Sequence, residues 1–124
     1  MADKKLIFII DDDPDILDSI SAILSAEGFA VETAMSGEEG IEKLSRINPA
    51  LILCDMMMER IDAGTKVAEE IKRRDKGAPI YLISSIGSAT ATNIEIGKLG
   101  FDGVFQKPVA PAYLISTIKK ALKI

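Results

Sequence analysis

Continuous apolar runs alternate along the chain with stretches whose apolar residues recur at helical spacing. The unbroken runs are Leu6-Ile7-Phe8-Ile9-Ile10, Leu51-Ile52-Leu53-Cys54, Ile80-Tyr81-Leu82-Ile83 and Val104-Phe105. Short runs of this kind are the signature of strands buried on both faces in a parallel sheet. A further strand is predicted at 30–34, so the strand set is roughly 5–10, 30–34, 50–54, 80–84 and 103–106.

Helices fill the intervals. Asp13-Pro14 supplies an N-cap followed by proline at the first helical position. Ile16, Leu17, Ile20, Ile23 and Leu24 then form one apolar stripe, and Gly28 stops it. Ser36 and Glu39 have the spacing of a capping box, Ile41, Leu44 and Ile47 give an inward face, and Asn48-Pro49 marks the end. A third helix carries Val67, Ala68 and Ile71, with Lys72-Arg73-Arg74 in its last turn, where cations suit the helix dipole. Residues 88–99 form a weaker helix with few large apolar residues. Residues 111–123 form the last, with Leu114, Ile115, Ile118, Ala121 and Leu122 inward. Five β-α units with short connections predict a doubly wound, five-stranded parallel sheet with helices on both faces, in one α/β domain over 1–124 with no output domain attached.

In such sheets function gathers at the carboxyl ends of the strands. Here those ends carry Asp11-Asp12-Asp13, Asp55, Ser84-Ser85 and Lys107-Pro108. Clustered carboxylates repel one another, and a hard divalent cation relieves this. Mg²⁺ suits oxygen ligands and keeps room for a phosphate. An ionised aspartate can attack a phosphoryl group to give an aspartyl phosphate. A lysine, a hydroxyl and a metal ion can then share the three phosphoryl oxygens.

Composition narrows the options. The 124 residues hold 48% apolar and 27% charged side chains, a balance that can bury a core. There is no histidine, which removes histidine metal sites, Ser-His-Asp and Cys-His catalysis and the usual neutral-pH base. The net charge of −4 argues against nucleic acid as the main partner. No stretch reads as membrane-spanning and no signal peptide precedes the first strand, so the expected location is cytoplasmic.

Taken in order, Ile9-Ile10-Asp11-Asp12-Asp13-Pro14, Leu53-Cys54-Asp55-Met56-Met57-Met58, Ile83-Ser84-Ser85 and Gly103-Val104-Phe105-Gln106-Lys107-Pro108 give the chain its resemblance to the receiver domains of two-component response regulators, over its whole length. The resemblance implies the flavodoxin-like (βα)5 fold of the chemotaxis-type receivers. It implies Asp55 as phosphoacceptor and Mg²⁺ as cofactor. Asp12 would be a direct metal ligand, Asp11 would act largely through water, and Met57 would contribute its backbone carbonyl. Ser84 would be the switch hydroxyl and Lys107 the phosphate-pairing lysine. The donor would be a phosphohistidine on a sensor histidine kinase or phosphotransfer protein, which a chain without histidine must meet in trans. The output would go to a separate protein through the face formed by the fourth helix, fifth strand and fifth helix, with no nucleic acid or membrane partner. The protein would be a signalling phosphoacceptor rather than an enzyme acting on other molecules.

Three positions depart from the family pattern. Glu59 stands where a proline is usual, Ala63 where a glycine is common, and Val104 where many receivers carry an aromatic switch residue. Phe105 should face the opposite side of the strand from Val104. Other readings fit parts of the chain. A receiver fold could bind partners without phosphorylation. A small Mg²⁺-dependent phosphohydrolase could use the same aspartate, but its usual second aspartate position is Met57. A flavodoxin-like redox protein would meet an acidic first β-α turn that repels a flavin phosphate. Locally, Asp13 reads as a helix cap, Ser84 also as a strand-end cap, Met56 to Met58 as packing, and Cys54 as buried strand filler.

Overall fold

The computed structural model describes residues 4–55, 78–84, 102–106 and 109–124, with Asp55, Ser84, Val104 and Gln106 described as strand positions. The expected third helix, the helix at 88–99, Met57, Glu59, Ala63 and Lys107 lie outside the described residues. Five strands, β1 (Leu6–Ile10), β2 (Ala30–Ala34), β3 (Leu51–Asp55), β4 (Ile80–Ser84) and β5 (Gly103–Gln106), form one sheet in the order β2-β1-β3-β4-β5. Every pairing is parallel. Three helices are described: α1 (Pro14–Ala26), α2 (Gly37–Leu44) and α3 (Pro111–Leu122), the last being the fifth helix expected from the sequence.

Alternation along the strands divides the core in two. Phe8, Ile10, Ile52, Cys54, Ile80 and Leu82 pack on one side with Leu44 of α2. Ile7, Ile9, Leu51, Leu53, Ile83 and Phe105 pack on the other with Leu17, Ile20 and Leu24 of α1 and Leu114 and Ile118 of α3. Successive side chains of a strand point to opposite faces. A strand with helices over both faces therefore needs apolar residues at every position, which is why these runs show no polar alternation. Phe105 sits on the α1/α3 side, as its parity requires.

Helix ends follow local chemistry. The Asp13 carboxylate accepts from the Asp15 N–H at 2.9 Å, and Pro14 occupies the first turn, where its missing donor costs nothing. At the other end Gly28 has φ +92°, a left-handed conformation that glycine adopts without a Cβ clash. The Gly28 N–H donates to the Ser25 carbonyl and the Phe29 N–H to the Leu24 carbonyl, the paired bonds of a Schellman stop. Phe29 and Leu24 both enter the core there.

Helix α2 differs from expectation at both ends. Ser36 Oγ accepts from the Glu39 N–H at 3.0 Å, as a capping box requires. The return bond, however, runs from the Met35 N–H to Glu39 Oε1 at 2.9 Å, one residue earlier than the motif predicts. Regular helix ends at Leu44 rather than near Asn48. From Ser45 the bonding tightens, with Ser45 N–H donating to Glu42 O and Arg46 N–H to Lys43 O, and Ser45 Oγ also turns back to Glu42 O at 2.6 Å. Ile47 still packs on the core from this final turn. Gly40 lets the helix lie close: a Cβ there would be 2.7 Å from Ile10 Cδ1.

Candidate functional site

Register brings the expected chemistry to one edge. Ile10 is paired with Cys54, so the next residues along, Asp11 and Asp55, continue neighbouring strands at the same level. Adjacent strands lie about 4.8 Å apart, so positions 44 residues apart in sequence become neighbours in space. On the other side of β3, Asp55 is paired with Ile83, and Ser84 follows it; Ser84 is paired with Gln106, which Lys107 follows in sequence. Strand β3 extends one residue further than the sequence pattern implied and includes Asp55 itself.

The two adjacent acids at the end of β1 occupy opposite environments. Asp11 is 0% exposed and is the one buried charged residue among the described residues. Its N–H donates to the Ala34 carbonyl at 3.0 Å, prolonging the β1–β2 ladder by one bond. Its Oδ1 accepts from the Asp13 N–H at 2.9 Å. Asp12 is exposed. The strand pleat and the start of the turn thus aim one carboxylate inward and leave its neighbour in solvent.

Asp13 therefore has a second task. Its side chain caps α1 while its amide fixes Asp11. These are two successive i to i+2 Asx bonds, from Asp13 N–H to Asp11 and from Asp15 N–H to Asp13. The Asp-x-Asp-x-Asp spacing of 11, 13 and 15 is the signal that carries them. A taut acidic turn results, anchored by a buried strand on one side and a capped helix on the other.

A buried carboxylate stays ionised only where hydrogen bonds and positive charge offset its lost hydration. The Asp13 amide supplies one such bond. The residue types at this edge are carboxylates, whose hard oxygens would suit Mg²⁺ or a similar cation rather than a soft metal, although among the described residues no three acids come together in a way that could hold a metal ion. The register sets the Asp11 and Asp55 positions level on neighbouring strands, Asp12 follows Asp11 with an exposed side chain, and Ser84 ends the next strand; Met57 and Lys107 lie outside the described residues.

Comparison with known proteins agrees with this layout. Residues 7–119 match the response regulator receiver domain. The chain belongs to that family. It is 32% identical over 120 residues to a probable transcriptional regulator, ycf27, of Guillardia theta, covering 97% of this chain and 46% of that protein. It is 31% identical over 117 residues to the transcriptional regulatory protein GlrR of Escherichia coli, covering 94% of this chain and 26% of that protein. The receiver thus spans between a quarter and a half of the length of these relatives. Among solved structures, a CheY-like receiver domain protein from Methanospirillum hungatei is 30% identical with a TM-score of 0.83, covering 98% of this chain and 95% of that one. A response regulator from Chloroflexus aurantiacus superimposes with a TM-score of 0.87 at 25% identity, covering 98% and 100%. No described helix is long and apolar enough to cross a membrane.

Proposed function

We propose that this receiver accepts a phosphoryl group on Asp55 from a phosphohistidine of a sensor histidine kinase or phosphotransfer protein in the cytoplasm. The observation that carries the reading is the pairing of a fully buried acid with the acceptor position: Asp11 is 0% exposed, and the Ile10–Cys54 register puts it level with Asp55. A buried charge kept at a strand end is poorly explained by solubility or packing, and cationic or phosphoryl chemistry explains it.

In the proposed step a carboxylate oxygen of Asp55 attacks phosphorus. An O–P bond forms, the N–P bond to the donor imidazole breaks, and its electron pair returns to the ring nitrogen. The ends of rigid strands hold the acceptor in place, and catalysis of this kind is mainly positioning and charge stabilisation. Lys107 would pair with one phosphoryl oxygen and Ser84 would donate its hydroxyl to another. Asp11, Asp12, Asp55 and the Met57 carbonyl would hold Mg²⁺, which when bound neutralises charge on the phosphoryl oxygens. The signal would pass to a separate protein through the face built from residues 88–99, β5 and α3.

Intact-mass measurement after incubation with acetyl phosphate and Mg²⁺ tests the reading. The parent protein should gain one phosphoryl group, and both chelation of the metal and Asp55→Asn should abolish the gain. Equal labelling of Asp55→Asn would move the acceptor elsewhere. No labelling of the parent under any condition would favour a receiver fold that binds partners without phosphorylation.

A further inference from the structure

Among the described residues strand β2 ends the sheet, with β1 as its neighbour on one side. The Ala30 N–H donates to the Lys5 carbonyl, and the Ala34 carbonyl accepts from Asp11. In a parallel ladder alternate residues turn their backbone groups to the same neighbour. Ala30, Glu32 and Ala34 therefore face β1, and Val31 and Thr33 present theirs to the outer edge. An edge of this kind is a template for another strand.

At Thr33 both outward groups are already engaged by side chains. Lys43 Nζ, reaching down from α2, donates to the Thr33 carbonyl at 2.6 Å. Glu32 Oε1 accepts from the Thr33 N–H at 3.3 Å and from Lys43 Nζ at 3.1 Å. Glu39 lies 3.4 Å from the same ammonium. Burial alone would lower the Lys43 pKa, but hydrogen bonds and charge from Glu32, with Glu39 adding to them, hold it above the usual lysine range. The ammonium is thus a fixed cation bridging helix and strand.

We propose that Lys43 is an edge guard: by occupying the Thr33 carbonyl and tethering Glu32, it withholds β2 from antiparallel pairing with β2 of a second copy of this chain. The occupant follows from the pattern of outward groups. A two-fold pair centred on Glu32 sets Val31 of each copy opposite Thr33 of the other, so two outward residues meet and can exchange both bonds once the Thr33 groups are released. Val31 and Thr33 are β-branched and favour such a ladder. The guard opposes it by holding the Thr33 carbonyl, which its removal frees. This inference does not depend on phosphorylation.

Analytical ultracentrifugation over a wide concentration range tests it. The parent should sediment as a monomer. Lys43→Met keeps the aliphatic stem but removes the ammonium, and its weight-average mass should rise toward twice the monomer mass. Lys43→Gln, too short to reach the Thr33 carbonyl, should do the same and serves if the methionine variant fails to fold. Adding Thr33→Pro, which deletes an outward N–H that β1 does not use, should return either variant to monomer. Folded Lys43 variants that stay as monomeric as the parent would overturn the proposal. So would association that persists with Thr33→Pro.

Discussion

A single methyl group at Gly103 should destabilise the domain through one aromatic ring. Gly103 is the register partner of Tyr81 across β4 and β5. A Cβ on Gly103 would lie 2.6 Å from Tyr81 Cε2 and 2.9 Å from Cδ2, well inside normal carbon contact of about 3.5–4.0 Å. The ring cannot yield by turning a flexible tip. It must move as a whole about χ1, which disturbs its contact with Phe105, whose ring centroid lies 5.5 Å away and which itself meets Tyr113 edge-on at 5.6 Å. Overpacking of this kind costs about 1–3 kcal/mol. Weakening the aromatic pair adds about 0.5–1.5 kcal/mol. Restricting the unfolded chain at a former glycine returns about 0.5–1 kcal/mol. Gly103→Ala should therefore lose about 1–3 kcal/mol in urea unfolding, or about 4–12 °C in melting temperature for a domain of this size. The deciding assay is a double-mutant cycle with Tyr81→Leu, whose side chain can move aside. In that background the alanine should cost less than about 0.5 kcal/mol. An equal loss in both backgrounds would show that the ring is not what forbids a side chain at 103.

Three further substitutions test the helix ends. Asp13→Ala removes the α1 cap but keeps the amide that holds Asp11, so urea unfolding should show a loss of about 1 kcal/mol. Lys123 ends α3 at φ 59°, ψ 46°, and Lys123→Gly should relieve the left-handed strain and raise stability by up to about 1 kcal/mol. Glu39 has a lowered pKa, chiefly from the Met35 N–H and secondarily from Lys43, against the opposing effect of burial. Its contribution is present above the ordinary carboxylate range and is lost as pH falls through its lower folded value, so Glu39→Gln should flatten the acid limb of a stability–pH curve.

The inner strands β1, β3 and β4 were legible because burial on both faces leaves a local mark, a nearly unbroken apolar run, whereas edge strand β2 carries Glu32 and Thr33 and lacks that mark. The α1 boundaries were legible for a similar reason, since Asp13, Pro14 and Gly28 act within one turn of themselves. The end of α2 was not, because Ile47 continues the apolar spacing through a tightened turn that is no longer regular helix. The return bond of Glu39 to Met35 rather than Ser36 reflects how the chain leaves β2, which the four-residue motif does not encode. Nothing local to Gly40 or Gly103 in the sequence shows that a side chain is excluded there. The residues that exclude it, Ile10 and Tyr81, are 30 and 22 residues away. Nothing in the sequence singles out Lys43, and its contact with Thr33 exists only once α2 lies over the sheet edge.

Asp11 and Asp12 show how one fold gives the same residue type two environments. They are consecutive residues just beyond the end of β1, yet one is sealed and the other open to solvent. The sealed carboxylate is held by the Asp13 amide, by its own ladder bond to β2, and by the fully buried Ile10 before it, against which Gly40 brings α2. Its position is therefore set by the core. The exposed carboxylate can exchange ligands with solvent. The site proposed above, which would bind and release a cation and a phosphoryl group, would use both properties, a fixed acid to define the place and a reachable one to receive what arrives. The parallel sheet supplies them by ending an apolar strand where its side chains pass from packed interior to solvent.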